Sequence, residues 1–176
     1  TVAQINTSAA GGTSYILDTV WSSYSYILGD VFNKSGFALS FDSGNSEYLE
    51  FNDFTFEEGE TIKIKWVHPN TTENVYLLGN KTQNVFIATG SSTILIRDNS
   101  QNTINLSNPN AENFNSNFGK EYELELSIVS GQFVYKLNGA LGGTGTSVDD
   151  FIFNTINSRE LNTNYFEDLT LNSFQL

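Results

Sequence analysis

Residues 121–138 read Glu-Tyr-Glu-Leu-Glu-Leu-Ser-Ile-Val-Ser-Gly-Gln-Phe-Val-Tyr-Lys-Leu-Asn. Tyr122, Leu124, Leu126 and Ile128 alternate with Glu121, Glu123, Glu125 and Ser127, the period of a strand with one face buried. Ser130-Gly131 is a two-residue turn, which fixes the register of the two strands it joins. Counting back from it, Ile128 faces Phe133, Leu126 faces Tyr135 and Leu124 faces Leu137, while Glu125 meets Lys136 on the other side. Apolar meets apolar and acid meets base at each step, so this segment predicts an antiparallel hairpin.

The same period extends outward. Ile62, Ile64 and Trp66 alternate with Lys63 and Lys65, and Pro69-Asn70 ends that strand because proline cannot donate to a ladder. Trp66 shares the apolar face and is read as core. Phe37, Leu39 and Phe41 alternate, and Tyr48–Phe51 returns after a Gly-Asn turn. Val75–Leu78 and Val85–Ala88 flank one loop, and Thr93–Arg97 and Thr103–Leu106 flank another. Residues 107–118 read as the longest structureless surface loop, and Gly139–Gly145 as a flexible connection. Phe151–Phe153 is a short buried run. The closing strand, 165–176, has a phase slip between Leu171 and Phe174, which predicts a bulge. Residues 1–12 read as a linker or docking arm, with short β-like runs after them at Ser14–Asp18 and Tyr24–Leu28.

Composition agrees. Twenty-two Asn supply turns, and 14 Phe with 8 Tyr supply strands. Many short strands without a helical period predict an all-β, two-sheet antiparallel β-sandwich rather than a small barrel. We expect residues 1–36 to form an arm with atypical first strands that docks on a neighbour, and residues 37–176 to form the sandwich. The net charge of −12 opposes a phosphate-tracking nucleic-acid binder and an anionic membrane surface. No apolar run is long enough for a membrane helix, so no membrane insertion is expected. Without cysteine, disulfides and thiol chemistry are excluded. Without methionine, Thr1 is expected to arise by processing or to lie inside a longer polypeptide, and no signal peptide is expected in this stretch.

Ala38–Asp42, Tyr48–Phe51, the strand ending Trp66-Val67-His68-Pro69, Tyr76–Asn80, Lys136–Gly139 and Tyr165–Leu171 succeed one another in an order that resembles the laminin-G-like domains of the concanavalin A-like lectin/glucanase superfamily. The resemblance runs from about Phe37 to Leu176. It implies a jelly roll of two antiparallel sheets, one concave, with ligands at the concave face or at rim loops. Lectins, carbohydrate-binding modules, glycan hydrolases and lyases, adhesion modules and virion fibre domains share that fold, so the site must be argued separately.

The glucanase branch implies Glu-x-Asp-x-x-Glu on one strand, but no aspartate here has a glutamate two positions before it. Glu121, Glu123 and Glu125 do share a face, which we read as solvated and charged. The lyase branch implies a Gln-x-His strand; the one histidine, His68, comes after Val67 and is read as a surface residue. No Gly-x-Ser-x-Gly and no phosphate-binding glycine loop occurs. Asp98, Ser100 and Asn102 place oxygen ligands at alternate positions of a loop, the pattern a hard cation takes. They are the metal candidates. No cofactor is otherwise expected, with calcium left open by that loop.

For a glycan, the parts needed are an aromatic platform and amides for hydroxyls. Trp21, Tyr24 and Tyr26 offer a platform, or equally the root of an oligomer contact. Asn70 and Asn80 offer amides. The expected function is a non-catalytic recognition module of an exterior surface, such as a phage fibre or spike or a bacterial adhesin, with a surface glycan or polysaccharide as ligand. The expected location is extracellular or on a virion or cell surface, with other chains of that assembly as partners and a homo-oligomer admitted. The alternatives are a structural domain of a virion or filament that binds no sugar, and a divergent glycan hydrolase or lyase.

Overall fold

The computed structural model describes residues 4–7, 13–16, 39–41, 48–146, 151–159 and 169–175. Its strands are β1 (Gln4–Thr7), β2 (Thr13–Ile16), β3 (Leu39–Ser40), β4 (Tyr48–Phe56), β5 (Thr61–Val67), β6 (Val75–Gly79), β7 (Phe86–Thr89), β8 (Thr93–Arg97), β9 (Thr103–Ser107), β10 (Glu121–Val129), β11 (Gln132–Leu137), β12 (Ala140–Thr146), β13 (Phe151–Ile156) and β14 (Thr170–Gln175). They make two sheets. The larger runs β1-β2-β4-β13-β6-β7-β8-β9, and the smaller runs β12-β11-β10-β5-β14-β3. Every pairing among the described residues is antiparallel except β2 with β4, which is parallel.

The β10–β11 hairpin has the register its turn dictates: Ile128 opposite Phe133, Leu126 opposite Tyr135, Leu124 opposite Leu137 and Glu125 opposite Lys136. Ser130 and Gly131 both take left-handed backbone, at φ 52° and 69°, the twist that suits a tight hairpin. The phase slip in β14 is a bulge between Leu171 and Ser173.

The core lies between the sheets. Ile62, Ile64, Trp66, Tyr122, Leu124, Leu126, Phe133 and Tyr135 meet Leu77, Ile87, Ile94, Ile96, Phe151 and Phe153 from the larger sheet. Burial of each such side chain contributes about 1.5–3 kcal/mol. On the solvent side of the smaller sheet, Lys63 and Lys136 both pair with Glu125, and Lys65 pairs with Glu121. That is the solvated charge ladder read from the strand pattern.

Four sequence readings need correction. Gly139–Gly145 is no flexible connection; most of it lies in strand β12. Its glycines serve packing, because a Cβ on Gly142 would lie 2.0 Å from the Tyr135 ring and one on Gly145 would lie 2.7 Å from Leu106. Gln4–Thr7, read as part of a linker or arm, forms β1 and pairs with β2. The 107–118 loop is not wholly structureless: it contains a 3-10 turn, Phe114–Ser116, that buries Phe114.

The fourth is His68, which is fully buried rather than on the surface. The loop folds over the end of β5, where the His68 amide donates to the Lys120 carbonyl and the Gly119 amide donates to the His68 carbonyl. The imidazole packs against Phe114 and Tyr122, at 5.7 and 6.3 Å between centroids. Desolvation lowers its pKa to about 4, since burial penalises the charged ring.

Candidate functional site

The side of the larger sheet that faces away from the core carries the most distinctive group of side chains, although Tyr76, Phe86, Ala88 and Thr155 on it are themselves buried. Strand registers align one row across six strands: Glu50, Thr155, Gly79, Phe86, Arg97 and Thr103. The neighbouring row is Tyr76, Ala88, Leu95 and Asn105. Tyr76, Phe86, Ala88 and Leu95 form a second apolar cluster, separate from the core. The Tyr76 and Phe86 rings meet edge to face, 5.1 Å apart at 87°.

Arg159 lies over this cluster. Its guanidinium carbon is 5.5 Å from the Phe86 ring centroid. Its Nε donates to Asn84 Oδ1, and Nη1 reaches the Tyr76 hydroxyl at 3.5 Å. The backbone brings it there by a short chain of causes. β13 ends at Ile156, and Asn157 turns the chain with φ 61°, a conformation asparagine tolerates. The Ser158 carbonyl then accepts from Thr155 Oγ1 at 3.1 Å. That carbonyl fits only because Gly79 has no side chain, for a Cβ there would lie 1.9 Å from it.

Arg97 sits in the next strand, directly opposite Phe86. Its Nε is buried and has no hydrogen-bond partner among the described residues. Arg97 and Arg159 are the only two arginines in the sequence, and both flank the same aromatic ring. Beside them, Lys81 is paired with Glu50, and the hydrogen bond from Lys81 to that carboxylate raises the Lys81 pKa. Asn154 receives the Lys81 amide on Oδ1 and donates through Nδ2 to Asp53. The face therefore gathers guanidinium groups, hydrogen-bonded amides and a lysine–glutamate pair around a buried apolar centre.

The residues singled out from sequence lie elsewhere or act indirectly. Trp21, Tyr24 and Tyr26 fall outside the described residues. Asn70 is exposed just after Pro69, in the loop between β5 and β6. Asn80 is buried with its amide fully engaged: Nδ2 donates to the Ile152 carbonyl, and Oδ1 accepts from Thr82 and Gln83. It shapes the loop that carries Lys81 and Asn84. Asp98 is buried, and its carboxylate accepts from the Asn102 backbone and side-chain amides at 2.8 and 3.0 Å. Ser100 lies in the exposed tip of that same loop. Among the described residues, no three His, Cys, Asp or Glu side chains gather as a metal site.

Sequence reasoning missed Tyr76, Phe86, Arg97 and Arg159. The available signal was apolar residues on both faces of β6 and β7, and the scarcity of arginine.

No protein-family model matches the chain, and no curated protein matches it. Among solved structures, the LG1-3 region of the laminin α2 chain superposes with a TM-score of 0.52 at 13% identity, over 70% of this chain and 24% of that one. The chain has the concanavalin A-like jelly-roll fold. This jelly roll thus spans about a quarter of the laminin chain it matches. It is also similar to the CBM40 of the Ruminococcus gnavus IT-sialidase bound to α2,3-sialyllactose (TM-score 0.46, 16% identity, 65% of this chain and 73% of that one). Chicken galectin 2 is a further similar structure (TM-score 0.42, 16% identity, 69% and 92%).

Proposed function

We propose that this jelly roll is a non-catalytic recognition module that binds a glycan on the side of its larger sheet that faces away from the core. One observation carries the proposal: the half-buried side chains of Arg159, Asn84 and Arg97 lie around the buried Tyr76–Phe86 pair on a sheet face outside the core. Sugars present hydroxyls in paired directions and apolar C–H faces, so a receptor needs fixed polar groups around an apolar patch. Catalysis would need a carboxylate pair or a proton-transfer base in a cleft. Glu121 and Glu125 are instead held by lysines on the other sheet, and His68 is enclosed by aromatics.

The setting we propose is an exterior surface, such as a virion fibre or spike or a bacterial adhesin, in assembly with other chains. The acidic, Asn-rich and cysteine-free composition supports it. A surface-glycan array probed with wild type, Asn84→Ala and Lys63→Ala tests the binding claim. Wild type and Lys63→Ala should bind a common set of glycans. Asn84→Ala, which removes an anchor of Arg159, should lose about tenfold, the worth of one charge-assisted hydrogen bond. Absence of binding to every surface glycan contradicts the proposal.

A further inference from the structure

We propose that Asn138 is a site of spontaneous covalent modification: it closes a succinimide with Gly139, which opens to aspartate or isoaspartate in the turn between β11 and β12. This inference lies on the smaller sheet and is independent of the glycan-binding reading. Of the 22 asparagines, Asn138 alone is followed by glycine.

The physical case has three parts. The first is access. Asn138 and Gly139 are both exposed, and the space beside the Gly139 α-carbon is open to 4 Å. Without a Cβ on the following residue, the backbone nitrogen can approach the asparagine side chain closely. The second is position. Asn138 and Gly139 take left-handed backbone, at φ 50° and 77°, as the centre of a two-residue hairpin turn. The Asn138 amide donates to the Glu123 carbonyl, and the Glu123 amide donates to Asn138 Oδ1, each at 2.8 Å. The side-chain carbonyl is thus held beside the turn, and a reaction within one chain gains from such proximity. The third is electrostatic. The Glu123 N–H points at Oδ1, the atom that takes negative charge when Cγ becomes tetrahedral, and a fixed donor there stabilises that state.

The step balances without a redox partner. A solvent base takes the Gly139 amide proton, the nitrogen bonds to Asn138 Cγ, the Cγ–Nδ2 bond breaks, and ammonia leaves with a proton from solvent. Water then opens the ring. Cleavage of the new N–Cγ bond leaves aspartate. Cleavage of the original peptide bond leaves isoaspartate, whose main chain runs through Cγ and gains a carbon. That carbon falls in the turn that pairs Leu137 with Ala140 and sets the register of β12. A slip of β12 by one residue either way would bring a threonine to the place of Gly145, where a Cβ would lie 2.7 Å from Leu106. Aspartate, which tolerates left-handed backbone, leaves the turn intact.

The test incubates the intact folded chain in mildly alkaline and mildly acidic buffer, with peptide mapping and isoaspartyl methyltransferase labelling over time. Both products should accumulate at position 138 ahead of every other asparagine, and faster in the alkaline buffer. Asn138→Gly, which suits the same backbone, should unfold cooperatively and lose the label from that peptide. Samples rich in isoaspartate should unfold at a lower denaturant concentration than Asn138→Asp. Aspartate without isoaspartate overturns the cyclisation. Conversion of another asparagine first overturns the site. So does an unchanged Asn138 while a free peptide of residues 135–142 converts in the same buffer.

Discussion

The Ser158 carbonyl occupies the space that a side chain on Gly79 would fill, 1.9 Å from the position of the missing Cβ. This contact couples the larger sheet to the segment that ends in Arg159. Gly79→Ala must push backbone rather than a flexible side-chain end, so it should cost about 1–3 kcal/mol, as overpacking does. It should also displace Arg159 from Phe86. Urea unfolding with glycan binding measured on the same sample checks both effects. Unchanged stability would show that residues 157–159 do not pack as described.

Gly142 makes a similar demand on the other sheet. An alanine Cβ there would lie 2.0 Å from the Tyr135 ring, whereas one on Gly143 meets nothing within 4 Å. Gly142→Ala should destabilise by about 1–3 kcal/mol, and Gly143→Ala should be neutral or slightly stabilising. Thermal unfolding of the pair separates a packing requirement from mere flexibility in β12.

His68 should give the fold a pH dependence of its own. Its folded pKa of about 4 lies below the ordinary 6.5, so the unfolded chain takes up the proton first. Stability from this group is therefore complete above pH 6.5 and is lost as pH falls towards 4, by up to about 3 kcal/mol. Glu112, Glu121 and Glu125 are held below the usual 4.5, chiefly by hydrogen bonds from Lys120, Lys65 and Lys136 respectively. Their contributions are lost only at pH below about 4.5. His68→Leu should flatten the stability profile between about pH 6.5 and 4.5 in chemical denaturation.

The charge ladder should matter far less than the face beneath it. Glu125→Gln breaks two partly exposed pairs, with Lys63 and Lys136, and should cost less than about 1 kcal/mol, falling with salt. Leu126→Ala, fully buried one residue on, should cost about 2–5 kcal/mol. Denaturant midpoints at low and high salt distinguish the two.

The sequence is legible where the deciding forces are local. The β10–β11 register can be read because turn chemistry and alternation both lie within residues 121–138. The bulge between Leu171 and Phe174 shows as a break in that same period. Strand β12 cannot be read this way, because its glycines answer to Tyr135 and Leu106, which lie outside it in sequence. His68 reads as a surface residue because the loop that buries it arrives about fifty residues later. Asn80 stands out as a polar residue of consequence, but its amide is spent inside its own loop and on β13. The Arg97–Phe86–Arg159 grouping needs the registers of several strands and the turn at Asn157, and no single segment contains it.

Backbone amide chemical-shift mapping, with increasing amounts of a glycan that the chain binds, tests the central claim most directly. The account predicts perturbations confined to β6, β7, β8 and the segments carrying Asn84 and Arg159, with the β5–β10–β11 face silent. Perturbations centred on the Lys63–Glu125 face, or on the 98–102 loop alone, would contradict it.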